Sequence, residues 1–169
     1  MPLTGQVAII TGCGGGIGRA IALRLASMGA NIVVNDIAQD AAERVAEEVR
    51  SSGRDAIVST ASVTDAAAVE AMVEDAQGKW GRVDILVNNA GITRDSLLLR
   101  MKDEQWDLVI DVNLRGAFVC TRAALRPMLK QRYGRIVNIT SIVGATGNAG
   151  QANYAASKGG LIAFTKSVA

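Results

Sequence analysis

Val7-Ala8-Ile9-Ile10-Thr11-Gly12-Cys13-Gly14-Gly15-Gly16-Ile17-Gly18 decides how the rest of the chain is read. An apolar run rich in β-branched residues ends in glycines, and Ile17, Ile21, Leu25 and Met28 then recur at helical spacing. The pattern predicts strand, tight turn, helix. Glycine suits such a turn because it tolerates positive φ and lets backbone N–H groups approach an anion closely. The helix would also direct the positive end of its dipole at a pyrophosphate. The spacing of Gly12, Gly16 and Gly18 is T-G-x-x-x-G-x-G, one residue looser than G-x-G-x-x-G. Seen alone, the loop could also be a simple turn.

Working outward, Gly29 stops the first helix and Asn31–Asp36 reads as a short buried strand. Ala41, Ala42, Val45, Ala46 and Val49 make the next helix face, closed by Gly53, and 56–60 reads as a third strand. Thr64 is the expected cap of a helix reaching Lys79. Val83–Val87 is a fourth strand running into Asn88-Asn89-Ala90-Gly91. One long helix is expected from Lys102 to Lys130, then a fifth strand over Arg135–Thr140, with Ser141 at its carboxyl end and a helix from Ala152 onward. Strands alternating with helices imply an α/β fold, a doubly wound parallel sheet of the Rossmann type covered on both faces. Residues 1–169 read as a single dinucleotide-binding domain. Five strands are visible where the full fold has six, and Leu161–Ala169 is helical with no stop signal, so truncation after the last helix is expected.

Composition narrows the function. Hydrophobic residues make up 49% and charged residues 20%, as in globular proteins. The net charge is +2 with basic and acidic residues interleaved, and aromatics are only 4%, so nucleic acid is not an expected partner. No segment carries the roughly 18 apolar residues of a membrane span, and the amino terminus has no signal-peptide pattern, so a cytoplasmic protein is expected. Cys13 and Cys120 offer no disulfide framework. Histidine is absent, which removes Ser-His-Asp triads and His-based zinc sites and leaves acid–base work to other side chains.

Three groups of residues point to chemistry. Asp36 lies eighteen residues beyond Gly18, near where the fold sets an acid on the adenosine ribose. Unit charges about 4 Å apart interact by roughly 4 kcal/mol at an effective dielectric of 20, so one carboxylate could repel a 2′-phosphate and decide the cofactor. With no Lys or Arg between Gly12 and Gly18, NAD(H) is expected over NADP(H). The alternative is an Asp that caps the next helix. Tyr154 and Lys158 stand four apart on one helical face, where an ammonium would stabilise a phenolate. A bare surface Tyr–Lys pair has the same spacing. Ser141 could hydrogen-bond a carbonyl oxygen and its developing charge. Asn113, a poor helix filler, is expected either to bond something other than its own turn or to bend the helix.

Thr11-Gly12-x-x-x-Gly16-x-Gly18, Asn88-Asn89-Ala90-Gly91, Asn113, Ser141 and Tyr154-x-x-x-Lys158 together resemble the short-chain dehydrogenase/reductase family. Asn89–Asp95 and Gly147–Lys158 are most similar to its bacterial 3-oxoacyl-[acyl-carrier-protein] reductase branch. The resemblance implies a carbonyl/alcohol oxidoreductase that reduces a 3-oxoacyl thioester and needs no metal. It gives Tyr154 as acid/base, Ser141 as the holder of the carbonyl oxygen, and Lys158 as ligand of the nicotinamide ribose. Asn113 would hold a water. The cofactor would meet Gly12, Gly16, Ile17, Gly18, Asp36, Ser62, Val63, Asn89, Ala90, Gly91, Tyr154 and Lys158.

It further implies a homotetramer or dimer, a small-molecule or carrier-bound acyl substrate, and acyl carrier protein as a partner, with Arg132 near the active-site mouth. Three departures stand out. These reductases usually prefer NADPH and carry a basic residue near the glycine loop, and the position of Ser62 is normally Asp. The family also continues past Ala169 into further strands and a substrate lid. An NAD-dependent dehydrogenase of another secondary alcohol, hydroxysteroid or sugar-like, remains open, as does a non-catalytic nucleotide-binding module.

Overall fold

Five apolar runs become strands β1 (Val7–Thr11), β2 (Asn31–Asn35), β3 (Ala56–Ser59), β4 (Ile85–Asn88) and β5 (Arg135–Asn138) in the computed structural model, which describes residues Met1–Ala169. They form one parallel sheet in the order β3-β2-β1-β4-β5. Because β4 returns to pair with the free side of β1, the order reverses between these two strands. A crevice opens there, at the carboxyl ends, where this architecture binds ligands. The α/β doubly wound reading holds.

Helices α1 (Gly16–Ser27), α2 (Gln39–Ser51), α3 (Ala66–Trp80), α4 (Asp103–Ile110), α5 (Gly116–Lys130), α6 (Val143–Thr146) and α7 (Ala152–Val168) cover the sheet. Every residue of β1 is buried. Val7 and Ile9 face a core with Val69, Val73, Val119 and Ala124, while Ala8 and Ile10 face another with Ala22, Ala26, Val45 and Val49. Burial on both faces is why the run reads as continuously apolar rather than alternating. No helix is long and apolar enough to cross a membrane.

Several local expectations need correction. The fully buried residues of α1 are Gly18, Ala22 and Ala26, with Ile21 and Leu25 partly buried against the same core, whereas Ile17 is 65% exposed. Close approach explains this, since a Cβ on Gly18 would lie 2.5 Å from the Gly12 carbonyl oxygen. Only small residues let the helix sit this near the strand. The cap of α3 is Asp65, which accepts the N–H groups of Ala67 and Ala68, rather than Thr64. The expected single helix from Lys102 to Lys130 is α4 and α5 joined by a π-helical turn, Asp111–Arg115, that holds Asn113. Helix α6 was not expected, and strand ends differ by one or two residues.

Candidate active site

Two positive φ values shape the glycine loop, +62° at Gly12 and +51° at Gly16. A Cβ on Gly12 would also meet Ala90 Cα at 2.8 Å. The Gly15 N-cap of α1 offers no side-chain acceptor, and no acid stands in the first turn. The first-turn N–H groups are therefore left for an external anion. Across the crevice, Thr11 Oγ1 accepts the N–H groups of Asn89 (3.1 Å) and Ala90 (3.0 Å). Asn89 Nδ2 donates back to the carbonyls of Thr11 (3.0 Å) and Gly12 (2.9 Å). These bonds lace the loop after β4 to the glycine loop, so the two walls hold each other.

Between them lies a cleft of about 670 Å³ lined by Gly12, Gly15, Ile17 and Gly18 on one side and Asn89, Ala90 and Gly91 on the other. Asp36, Ser62 and Val63 close one end. Gly16 turns the chain beside them without lining the cleft. Ser62 Oγ pairs with Thr64 Oγ1 at 2.9 Å, and Val63 is mostly buried in the core. An uncapped helix start, glycines without side chains and a long slot at the sheet's switch point all suit a dinucleotide.

Gly91 joins this cleft to a second group of residues. A Cβ on it would lie 3.3 Å from Asn113 Oδ1 and 3.5 Å from Lys158 Nζ. Asn113 is buried, and its side chain bonds both backbone groups of Ile92, accepting its N–H at 2.8 Å and donating to its carbonyl at 3.0 Å. It thus bonds outside its own turn, at the wider π-helical segment. Lys158 Nζ donates to the Ile139 carbonyl at 2.7 Å and sits 5.7 Å from the centre of the Tyr154 ring, which is half-buried. Ser141 follows β5 and accepts the Val143 N–H at 3.2 Å, while its neighbour Thr140 donates to the Lys158 carbonyl at 3.0 Å. Two glycines allow this approach, because a Cβ on Gly144 would strike the Lys158–Gly159 backbone at 2.7 Å. Arg132 lies instead at the opposite end of β5 from Ser141, in an exposed left-handed turn (φ 54°). Sequence reading gave Asn153 and Ser157 no role, although both are fully buried beside Tyr154.

Burial disfavours the charge on Lys158 and pushes its pKa below the ordinary lysine value. The folded state therefore binds fewer protons than the unfolded state at pH values between the depressed pKa and about 10.4, and stability from this group rises with pH across that window. Lys158→Met is expected to remove this rise, which thermal unfolding followed at several pH values measures. The burial of Cys13 and Cys120 pushes each thiol up to about 12, so neither is a ready nucleophile.

The chain belongs to the short chain dehydrogenase family, whose model matches residues 6–169. That makes it an oxidoreductase by class. It is 53% identical over 168 residues to a 3-oxoacyl-[acyl-carrier-protein] reductase of Synechocystis, covering 99% of this chain and 68% of that protein. It is 47% identical over 169 residues to 3-oxoacyl-[acyl-carrier-protein] reductase FabG of Escherichia coli, covering 100% of this chain and 68% of the relative. The corresponding Staphylococcus aureus protein is 52% identical over 163 residues, 96% of this chain and 66% of its own length.

This likeness corrects the cofactor expectation. Similarity to these reductases points to NADP(H) and against the NAD(H) preference drawn from Asp36. Asp36, which also lines the cleft, has a second task in the structure. Its Oδ2 accepts the Gly14 N–H and its Oδ1 the Ala38 N–H, both at 2.9 Å. The carboxylate holds the glycine loop and the Ala38 N–H just before α2, whereas α2 itself has no side-chain cap.

Proposed function

We propose that the chain reduces a 3-oxoacyl thioester to the 3-hydroxyacyl form with NADPH, the acyl group being presented by a carrier protein. The observation that carries this reading is the meeting at Gly91. One residue both lines the glycine cleft and abuts Asn113 and Lys158, so a cofactor lying along the cleft would end beside the Tyr154 face of α7. The names of the relatives favour a 3-oxoacyl thioester over a hydroxysteroid or sugar alcohol.

In this reading the first turn of α1, with Gly12, Gly16, Ile17 and Gly18, receives the pyrophosphate. Asp36, Ser62, Val63 and Asn89–Gly91 surround the adenosine half. Tyr154 gives a proton to the carbonyl oxygen during reduction and takes it back in reverse. Ser141 holds that oxygen as charge develops on it. Lys158 meets the nicotinamide ribose and steadies the phenolate, and Asn113 keeps a water within reach of Lys158. The dinucleotide, when bound, supplies the hydride, so the protein's own task is orientation and proton movement. A cytoplasmic homodimer or homotetramer is the setting this implies.

Absorbance of NADPH followed with an acetoacetyl thioester tests the reading. Oxidation of NADPH dependent on the thioester is expected, faster than with NADH. Binding of NADPH without turnover of any 3-oxoacyl thioester would sink it, as would preferential oxidation of a steroid or sugar alcohol.

A further inference from the structure

Both peptide groups of Tyr154 are held by buried side chains, and both holds lead to the same short loop. Upstream, the fully buried Asn153 accepts the Tyr154 N–H on Oδ1 at 2.8 Å. Its Nδ2 donates to the carbonyls of Arg94 (3.0 Å) and Gln105 (3.1 Å). Downstream, the fully buried Ser157 hydroxyl donates to the Tyr154 carbonyl at 2.8 Å and accepts from Asn113 Nδ2 at 3.1 Å. Asn113 grips Ile92 by both of its backbone groups. The two chains of bonds therefore close on Ile92–Arg94, the stretch that leaves the Asn89-Ala90-Gly91 wall of the cleft.

A helix does not need this of itself. The Tyr154 N–H belongs to the first turn of α7, where intrahelical acceptors are missing, and Gln151 gives no side-chain cap. Water or an exposed cap would satisfy it. A buried carboxamide bonded three times does more, because every departure from its geometry leaves a buried polar group unpaired. Parallel ties reinforce it, with the Ser96 N–H donating to the Gly150 carbonyl at 2.8 Å and Gln151 Nε2 to Asp95 at 3.0 Å.

We propose that Asn153 is a positioning residue for proton transfer, with Ser157 as its counterpart, and that together they clamp the Tyr154 backbone to loop Ile92–Arg94. The phenol and the cleft wall then keep one mutual geometry. This rests on the reading of Tyr154 as proton donor. A displacement of about 1 Å costs turnover on the order of 100-fold, so a clamp of this kind has a measurable purpose.

The test uses the full chain carrying Asn153→Asp, Asn153→Ala or Ser157→Ala. The Asp variant keeps an acceptor for the Tyr154 N–H but sets a carboxylate oxygen against the Arg94 and Gln105 carbonyls. Ser157→Ala removes a single hydroxyl and is the smallest of the three changes. Tyr133 and Tyr154 are the only tyrosines, so ring-labelled tyrosine gives two NMR signals, and Tyr154→Phe identifies the relevant one. In the Asn153 variants the Tyr154 signal is expected to shift or split while that of Tyr133 stays. Turnover number falls by about 10- to 100-fold with the KM for NADPH unchanged, and Ser157→Ala shows the same in smaller measure. A folded variant with the parent's Tyr154 signal and turnover overturns the proposal. So does equal movement of both tyrosine signals with loss of NADPH binding, which marks general loosening. If Tyr154→Phe instead keeps full activity, the proton-donor reading fails, while the Tyr154 signal still reports whether the clamp exists.

Discussion

With Tyr154→Phe, reduction of an acetoacetyl thioester by NADPH is expected to fall by about 10³-fold, while NADPH binding, read by its fluorescence, stays at the parent's level. The variant removes one oxygen and nothing else of the site. The aromatic ring remains half-buried, the Asn153 and Ser157 bonds engage only the peptide groups, and Lys158 keeps its bond to Ile139. Loss of turnover with binding retained would therefore assign the missing oxygen to the proton step. Turnover close to the parent's would move the acid elsewhere. The neighbouring ionisable candidate is Lys158, since the chain has no histidine and both thiols are pushed far above neutral pH.

Glycines and strand ends made much of this site legible in the sequence. Gly12, Gly16 and Gly18 have spacing that follows from backbone sterics, and the structure shows what each spacing serves: two left-handed turns and one close approach of helix to strand. Ser141, Tyr154 and Lys158 could be placed from periodicity, because a strand end and one helical face are local properties. What could not be read was how polar groups share partners across the fold. Asp36 stands where a ribose ligand is expected, yet its oxygens go to Gly14 and Ala38, one of them a contact across the loop. A Thr-Asp pair at Thr64-Asp65 offers two good caps one residue apart, and only the folded backbone chooses Asp65. Gly18, Ala22 and Ala26, the fully buried residues of α1, carry little hydrophobic signal beside Ile17 and Ile21. Asn153 and Ser157 lay within a stretch singled out by resemblance, but their partners at Arg94, Gln105 and Asn113 are distant in sequence.

Removing the carboxylate of Asp84 is expected to cost about 1–3 kcal/mol of stability, read by urea unfolding of Asp84→Ala. The side chain is fully buried at the amino end of the sheet, where its Oδ2 accepts the Val7 N–H at 2.9 Å. The Arg82 guanidinium, itself 45% exposed, binds both carboxylate oxygens at 2.7 Å. The Asp84 backbone extends the same junction, its N–H donating to the Val7 carbonyl at 2.9 Å and its carbonyl accepting the Arg135 N–H at 2.8 Å. One residue thus ties the starts of β1, β4 and β5 together. Truncation leaves the Val7 N–H buried without its acceptor and frees Arg82 to water, whereas Asp84→Asn keeps an acceptor and should lose less. The expected order of stability is parent, Asn, Ala. The crevice lies at the other end of these strands, so each variant that remains folded at low temperature should keep the parent's KM for NADPH. A raised KM in folded Asp84→Asn would mean instead that the junction sets the β1–β4 register on which the cleft depends, since a slip of one residue turns every side chain of a strand to the opposite face.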